Sequence, residues 1–447
     1  MKKQTRILAV MSAAAVMSLA GAAAGPVPAA YAAQYGWTTE NGSEVYYDED
    51  GYMTTDSWRK NGDDWFYLNE DGQITKNGKV DDYYLGEDGK MVKNSWIRLE
   101  NDEEQDSPEA PGSYWYYFDK DGKAAVSKWM KLNSKWYYFD ESGHMLTGKT
   151  EIDGSTYYLG EEADGAMRTG WIKLEENAAE PGSTENWHYF NSDGKMVTDQ
   201  VDKKIDGAYY TFIDGKMQTG WVRLPKAASP ADAEQSASST SIADYQYYGQ
   251  DGDGKRADGW RTIPGIDGIH EADETFTFYF KEGKPYFSSV TGNQLFTVNG
   301  KKYAFNELGE MQTGQKIVTL DSGDIANFYF GDDGEMKTGK QNIYNEDSGE
   351  TESWYFQTDG DKKGQGFHGL RDGVLYVYGK RQEAASDLRY APATLNGTTY
   401  LVNTTGSVQK ASSSSTSSVK PELGRGYKDY KDGNGTVWVT DGNGIVQ

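Results

Sequence analysis

The stretch Trp129-Met-Lys-Leu-Asn-Ser-Lys-Trp136-Tyr-Tyr-Phe-Asp-Glu-Ser-Gly143-His-Met145-Leu-Thr-Gly148 decides the fold. It begins with a Trp, a short polar turn and a Trp-Tyr-Tyr-Phe run. A second turn of the Asp/Ser-Gly-x-Met kind and a Thr-Gly close it. Aromatic runs flanked by polar, Gly-containing turns signal a β-hairpin. Working outward, the Gly of the second turn recurs at Gly51, Gly72, Gly89, Gly122, Gly165, Gly194, Gly215, Gly254, Gly283, Gly309, Gly334 and Gly360. At this period each copy is one supersecondary unit that cannot bury its apolar face alone, so neighbours must stack. The expectation is an all-β solenoid, a superhelix of stacked β-hairpin repeats of about 20 residues.

Composition points the same way. The 53 Gly among 447 residues exceed the usual share of about 7 % and fall where turns are needed. Burial has to come from aromatic rings, because the chain is hydrophilic and offers no Leu/Ile/Val core. Insertions at Glu100–Ser113, Glu175–Asn186 and Pro225–Asp244 leave the repeat register intact, as hairpin-loop extensions would. The clearest copies fill residues 33–289. Over 290–409 Trp gives way to Phe and Tyr and the spacing lengthens. Residues 410–421, with Ser412 to Ser415, read as a Ser-rich linker, and 422–447 as a small terminal hairpin-like unit around Tyr427, Tyr430 and Trp438.

Residues 1–32 have the pattern of a secretory signal peptide. Lys2, Lys3 and Arg6 precede an apolar run, and Ala30-Tyr31-Ala32 fits a small-x-small cleavage site. No second long apolar run follows, so no transmembrane segment is expected in the mature chain. With no cysteine, neither disulfides nor a Cys nucleophile is possible. The net charge of −24 argues against nucleic acid and anionic membranes as partners and is compatible with a cationic or neutral ligand.

Catalytic constellations are lacking. His144, His188, His270 and His368 occupy unrelated repeat positions, and carboxylates are so abundant that any pair is uninformative for a glycosidase. Asp251-Gly-Asp253-Gly lacks the remaining ligands of a Ca²⁺ loop and reads as a turn. The sequence predicts no catalytic residue, metal or cofactor.

The set Gly170-Trp171 … Trp187-His-Tyr189-Phe … Asp193-Gly-Lys-Met196, with its relatives at Trp58/Trp65 and Trp129/Trp136, resembles the cell-wall-binding (choline-binding) repeat of secreted Gram-positive proteins. That family is related to the glucan-binding repeats of glucansucrases and the C-terminal repeats of large clostridial toxins. The resemblance runs from about Tyr35 to at least Gly360. It implies a left-handed superhelix with ligand pockets between consecutive hairpins, each caged by two Trp of one repeat and a Tyr of the next, with a Met alongside. Aromatic faces attract a quaternary ammonium by about 0.5–2 kcal/mol per contact.

Carried over position by position, the resemblance gives four full sets. They are Trp58, Trp65, Tyr84 and Met91; Trp96, Trp115, Tyr138 and Met145; Trp129, Trp136, Tyr158 and Met167; and Trp171, Trp187, Tyr210 and Met217. Elsewhere the place of the second Trp is read as Val45, Asp82, Thr156, Ala208 and Gln246, then Phe278, Tyr303 and Phe328. Trp354 reads as a return to the motif. The implied partner is a repetitive wall polymer such as choline-bearing teichoic acid. Polysaccharide stacking (α-glucan or host glycan) and targeting of a separate enzyme are the alternatives. The protein is expected to be a non-enzymatic surface protein held to the wall without covalent attachment.

Overall fold

Two-residue turns set the repeat. In the computed structural model, Asn133–Ser134 and Asn299–Gly300 both have positive φ at each central residue, the twist that joins two strands without splaying them. The structure describes residues 34–101, 112–175, 184–224, 241–250 and 252–447. The leader-like 1–32, Asp251 and the centres of the three insertions lie outside the described residues.

The chain forms two compact units. One comprises the residues up to Thr150 with Tyr158–Met167, the other Glu151–Tyr157 with Arg168–Gln447. The strands of the first stretch are β1 (Gly36–Glu40), β2 (Ser43–Tyr47), β3 (Ser57–Asn61), β4 (Asp64–Leu68), β5 (Gly78–Val80), β6 (Tyr83–Leu85), β7 (Ser95–Glu100), β8 (Ser113–Phe118), β9 (Lys128–Leu132) and β10 (Lys135–Phe139). There follow β11 (Lys149–Ile152), β12 (Ser155–Tyr158), β13 (Gly170–Glu175), β14 (Glu185–Phe190), β15 (Gln200–Ile205) and β16 (Ala208–Ile213). Each consecutive pair is an antiparallel hairpin. The helical content among the described residues is two short 3-10 turns, Ile242–Asp244 and Pro421–Leu423.

A backbone ladder stacks the hairpins within each unit. The amide just after a second turn donates to a carbonyl in, or just before, the second strand of the preceding hairpin. In the first unit the pairs are Met91 to Trp65, Ala124 to Asp82, Met145 to Trp115 and Met167 to Trp136, all at 2.8 Å. In the second, Met196 donates to Thr156, Arg256 to Tyr209, Met311 to Thr277 and Gly366 to Asn327 at 2.8–2.9 Å. The Met311 bond spans residue 290, so the sequence drift there leaves the stacking unchanged.

The last residue of the aromatic run is fully buried in most hairpins and anchors the core, joined in the later copies by Phe278 and Phe328. Leu68, Leu85, Phe118 and Phe139 hold this place in the first unit, and Phe190, Phe212, Tyr248, Phe280, Phe305, Phe330 and Phe356 in the second. Methionine couples one repeat to the next. A Cβ placed on Gly165 would lie 2.3 Å from Met145 Sδ, and one on Gly254 the same distance from Met217 Sδ. The second-turn glycine therefore serves its positive φ (+61° at Gly165) and also clears room for the thioether above it.

Counting back from the end-residue that pairs with the second turn corrects several assignments. The second-Trp place belongs to Glu44 rather than Val45, Tyr209 rather than Ala208, and Tyr245 rather than Gln246, because Tyr47, Phe212 and Tyr248 pair with the turn residues Met53, Met217 and Arg256. Likewise Thr277, Lys302 and Asn327 hold it rather than Phe278, Tyr303 and Phe328. Asp82 and Thr156 stay where expected, on the evidence of the ladder bonds. Trp354 falls one place after the second-Trp position and is buried. The Ser-rich 410–421 stretch is also more than a linker. Ser417 is buried and donates to Asp429, Ser418 donates to the same carboxylate, and Thr416 bridges to Arg425. The terminal hairpin, Lys428–Lys431 with Val437–Thr440, extends the stack through the Val446 amide on the Thr399 carbonyl.

Candidate functional site

Strand alternation sends successive side chains of each Trp-Tyr-Tyr-Phe run to opposite faces. The third residue crosses the leading Trp of its own hairpin: Tyr67 on Trp58 at 5.4 Å, Tyr117 on Trp96 at 5.2 Å, Tyr138 on Trp129 at 5.2 Å. The second residue faces the leading Trp of the hairpin before. Tyr83 meets Trp58 at 5.1 Å, Tyr137 meets Trp96 at 5.0 Å, and Tyr210 meets Trp171 at 4.8 Å. The ring that closes each junction is thus Tyr83 and Tyr137 where Tyr84 and Tyr138 were expected. Tyr210 holds the expected place. Tyr84 packs on Phe118 instead, and Tyr158 donates its hydroxyl to Glu161.

In the first unit these rings form a cavity of about 260 Å³ lined by Trp96 and Trp115 from one hairpin, Tyr137 and Met145 from the next, and Ala163 and Asp164 from the turn after β12. Trp96 and Trp115 stand nearly perpendicular (86°, centroids 6.4 Å apart), forming a corner that Tyr137 closes edge-on. Met145 is buried at its base. Asp164 adds a carboxylate, paired with the Lys135 ammonium at 3.3 Å. Asp164 was missed by sequence reasoning because it comes from a third repeat. Its only signal is the lengthened turn Gly160-Glu-Glu-Ala-Asp-Gly165.

The second unit repeats the corner. Trp171 and Trp187 lie 84° apart at 6.5 Å, with Tyr210 on Trp171 and Met217 buried in the same cluster. Both corners belong to hairpins with a loop insertion. There the strands run two paired residues beyond the second Trp, through Leu99–Tyr114 and Glu100–Ser113 in one case and Leu174–Asn186 and Glu175–Glu185 in the other. In the short hairpins Trp65 and Trp136 sit beside the turn and stand 37 % and 40 % exposed. Lys131 reaches within 5.8 Å of the Trp136 ring. The insertions thus extend the strands that carry the second Trp.

Two histidines pack beside these sites. His188 is buried with Nδ1 2.8 Å from the Gly215 carbonyl, and His144 stacks flat on Tyr114. Among the described residues no group of three or more His, Asp or Glu is placed to hold a metal ion, and no helix is long and apolar enough to cross a membrane. Chemically, the corners offer π faces and one carboxylate to a cation or an apolar ring edge.

Parts of the chain are similar to known proteins. Residues 126–171 match the choline-binding repeat, and 56–74, 112–124 and 183–196 match the putative cell wall binding repeat. The chain is 26 % identical to glucosyltransferase-S of Streptococcus mutans over 326 residues, covering 66 % of this chain and 18 % of that one. Solved structures similar to it include CbpJ of Streptococcus pneumoniae (21 % identity, TM-score 0.39, 68 % of this chain and 100 % of that one). Choline binding protein F of the same organism matches at 21 % identity and TM-score 0.37, over 68 % and 98 % of the two chains. The modular autolysin LytC, also pneumococcal, matches at 24 % and 0.38, over 62 % and 52 %. The chain thus spans about half of LytC and under a fifth of the glucosyltransferase. The matched segments lie on the stacked hairpins, two of which carry the paired-Trp corners, and over those residues the chain carries repeats that match the cell-wall-binding, choline-binding family.

Proposed function

We propose that this chain is an exported, non-enzymatic protein that holds to choline-bearing wall polymer, such as teichoic acid, through aromatic corners between successive hairpins. The observation that carries the reading is the Trp96–Trp115–Tyr137 corner, with Met145 at its base and the Asp164 carboxylate beside it. A quaternary ammonium donates no hydrogen bond and is held by ring faces, assisted by a nearby negative charge. The leader-like 1–32 supports export. A single site of this kind is weak. Repeated along one chain against a repeating polymer, such sites gain about 10²–10⁴ in avidity.

Retention of residues 33–447 on a choline resin, with elution by free choline, tests this. Trp96→Ala/Trp115→Ala is expected to elute at markedly lower choline, and unretained wild-type protein would sink the reading. The glucosyltransferase-S likeness favours a second reading, stacking on α-glucan by the same rings. It predicts retention on dextran that free choline does not disturb.

A further inference from the structure

A second cavity, also of about 260 Å³, adjoins the first corner. It shares Trp115 and Met145 with the corner and is lined beyond them by Tyr114, Asp140, His144 and Glu162, among others. Its walls differ in kind from the aromatic corner. The His144 ring lies 3.7 Å from Tyr114 and within 9° of parallel, and its Nδ1 is 3.3 Å from an Asp140 oxygen. The other Asp140 oxygen accepts the Ser142 and His144 amides, so both ring and carboxylate are fixed. Glu162 is exposed and loosely paired with Arg98 at 3.5 Å. The cavity therefore offers a rigid aromatic edge, a carboxylate that accepts hydrogen bonds, and phenol and imidazole groups that can donate them.

Two carboxylates disfavour phosphate or any other anion, and the lining sets apolar Trp115, Met145 and Leu146 beside polar Ser113, Thr147 and Glu162, which suits a guest with both an apolar and a hydrogen-bonding face. A neutral polyhydroxylated ring satisfies all the groups, since each hydroxyl can donate to Glu162 and accept from Tyr114 or His144. We infer that this cavity is a carbohydrate subsite, and that corner and cavity together take a sugar unit carrying a quaternary ammonium, with Trp115 the wall between them. The inference rests on the cation reading of the corner for its linkage to the ammonium, but not for the sugar itself.

The test uses the full mature chain. Saturation-transfer NMR with methyl β-D-galactopyranoside and methyl α-D-glucopyranoside is run in saturating choline chloride. A saturable glycoside signal is expected, with the His144 imidazole resonances perturbed. His144→Ala and the exposed Glu162→Gln should each weaken it roughly tenfold, the scale of one lost hydrogen bond to a charged or fixed partner. Both variants should keep wild-type retention on choline resin, and Trp115→Ala should lose both activities. Wild-type protein held on choline resin without a saturable glycoside signal would overturn the subsite, as would a signal indifferent to both variants. Glycoside binding at His144 by protein that flows through the choline resin would keep the subsite and reject the cation reading. With choline omitted, choline-bearing wall polymer should displace the glycoside at sugar concentrations where dextran does not; equal displacement by dextran would overturn the linked ligand.

Discussion

Two neighbouring junctions of the first unit share a backbone and differ in what fills them. At one, Met145 donates to the Trp115 carbonyl and the side chains are Trp96, Trp115, Tyr137 and Met145. At the other, Ala124 donates to the Asp82 carbonyl at the same 2.8 Å, but Lys79 stands in the leading Trp place opposite Tyr84. Its ammonium rests 3.6 Å from the Tyr116 ring centroid, on the tyrosine that elsewhere receives a tryptophan. The chain there supplies its own cation. The second unit has a variant: Arg256 replaces the methionine, lies 4.3 Å from the Tyr209 ring and pairs with Asp202 at 2.8 Å. Stacking and binding are therefore separable. The ladder is a property of the backbone, and the pocket is a choice of four side chains laid on it.

The largest effect should come from converting the filled junction into the open one. Lys79→Trp/Asp82→Trp/Ala124→Met is expected to raise the choline stoichiometry by one site per chain in calorimetry. Unchanged stoichiometry in a folded variant would mean that more than these side chains separates the two junctions. Glycine substitution sharpens the contrast in stability. Gly165→Ala drives a Cβ into Met145 and should cost about 2–4 kcal/mol in denaturant unfolding, from overpacking plus left-handed strain. At Gly143 the nearest atom is 3.3 Å away, because Ala124 leaves no thioether there. Gly143→Ala should cost only the strain, about 1–2 kcal/mol. Equal losses would remove methionine from the stacking account.

Arg256→Met should cost about 1–3 kcal/mol, below the loss for a fully buried pair because both partners keep some water contact. A thermal scan that detects no change would show the ion pair to be incidental. The smallest effect belongs to Lys79→Ala, about 0.5 kcal/mol for one exposed cation–π contact. Choline retention should not change, because alanine removes the cation without supplying either missing Trp.

Much of this organisation was legible in the chain. Asp-Gly, Asn-Gly and Trp-Tyr-Tyr spacing gives the hairpins and their period, and the paired Trp mark the corners. The register within the runs was not legible where the second Trp is replaced. A one-residue error in a strand exchanges its faces, which is how Tyr138 stood in for Tyr137 and Phe278 for Thr277. The last hydrophobic residue before each Asp/Asn turn is the reliable anchor, since from β4 onward it is buried almost completely and it bridges to the second turn. Distance along the chain concealed the rest. Nothing local announces that Asp164 serves a corner begun at Trp96, or that Lys79 would settle on Tyr116.

The cavity at Trp96 draws on two hairpins and on the turn that follows a third. The smallest transferable binding module is therefore longer than the repeat. A chain that gains one repeat gains at most one site, and the outermost repeats at the finishing end only complete pockets begun earlier. A fragment cut after two hairpins would keep every tryptophan of its corner and lack a wall. In such a lineage, terminal repeats are free to lose their own tryptophans without loss of binding, provided they still close the site behind them.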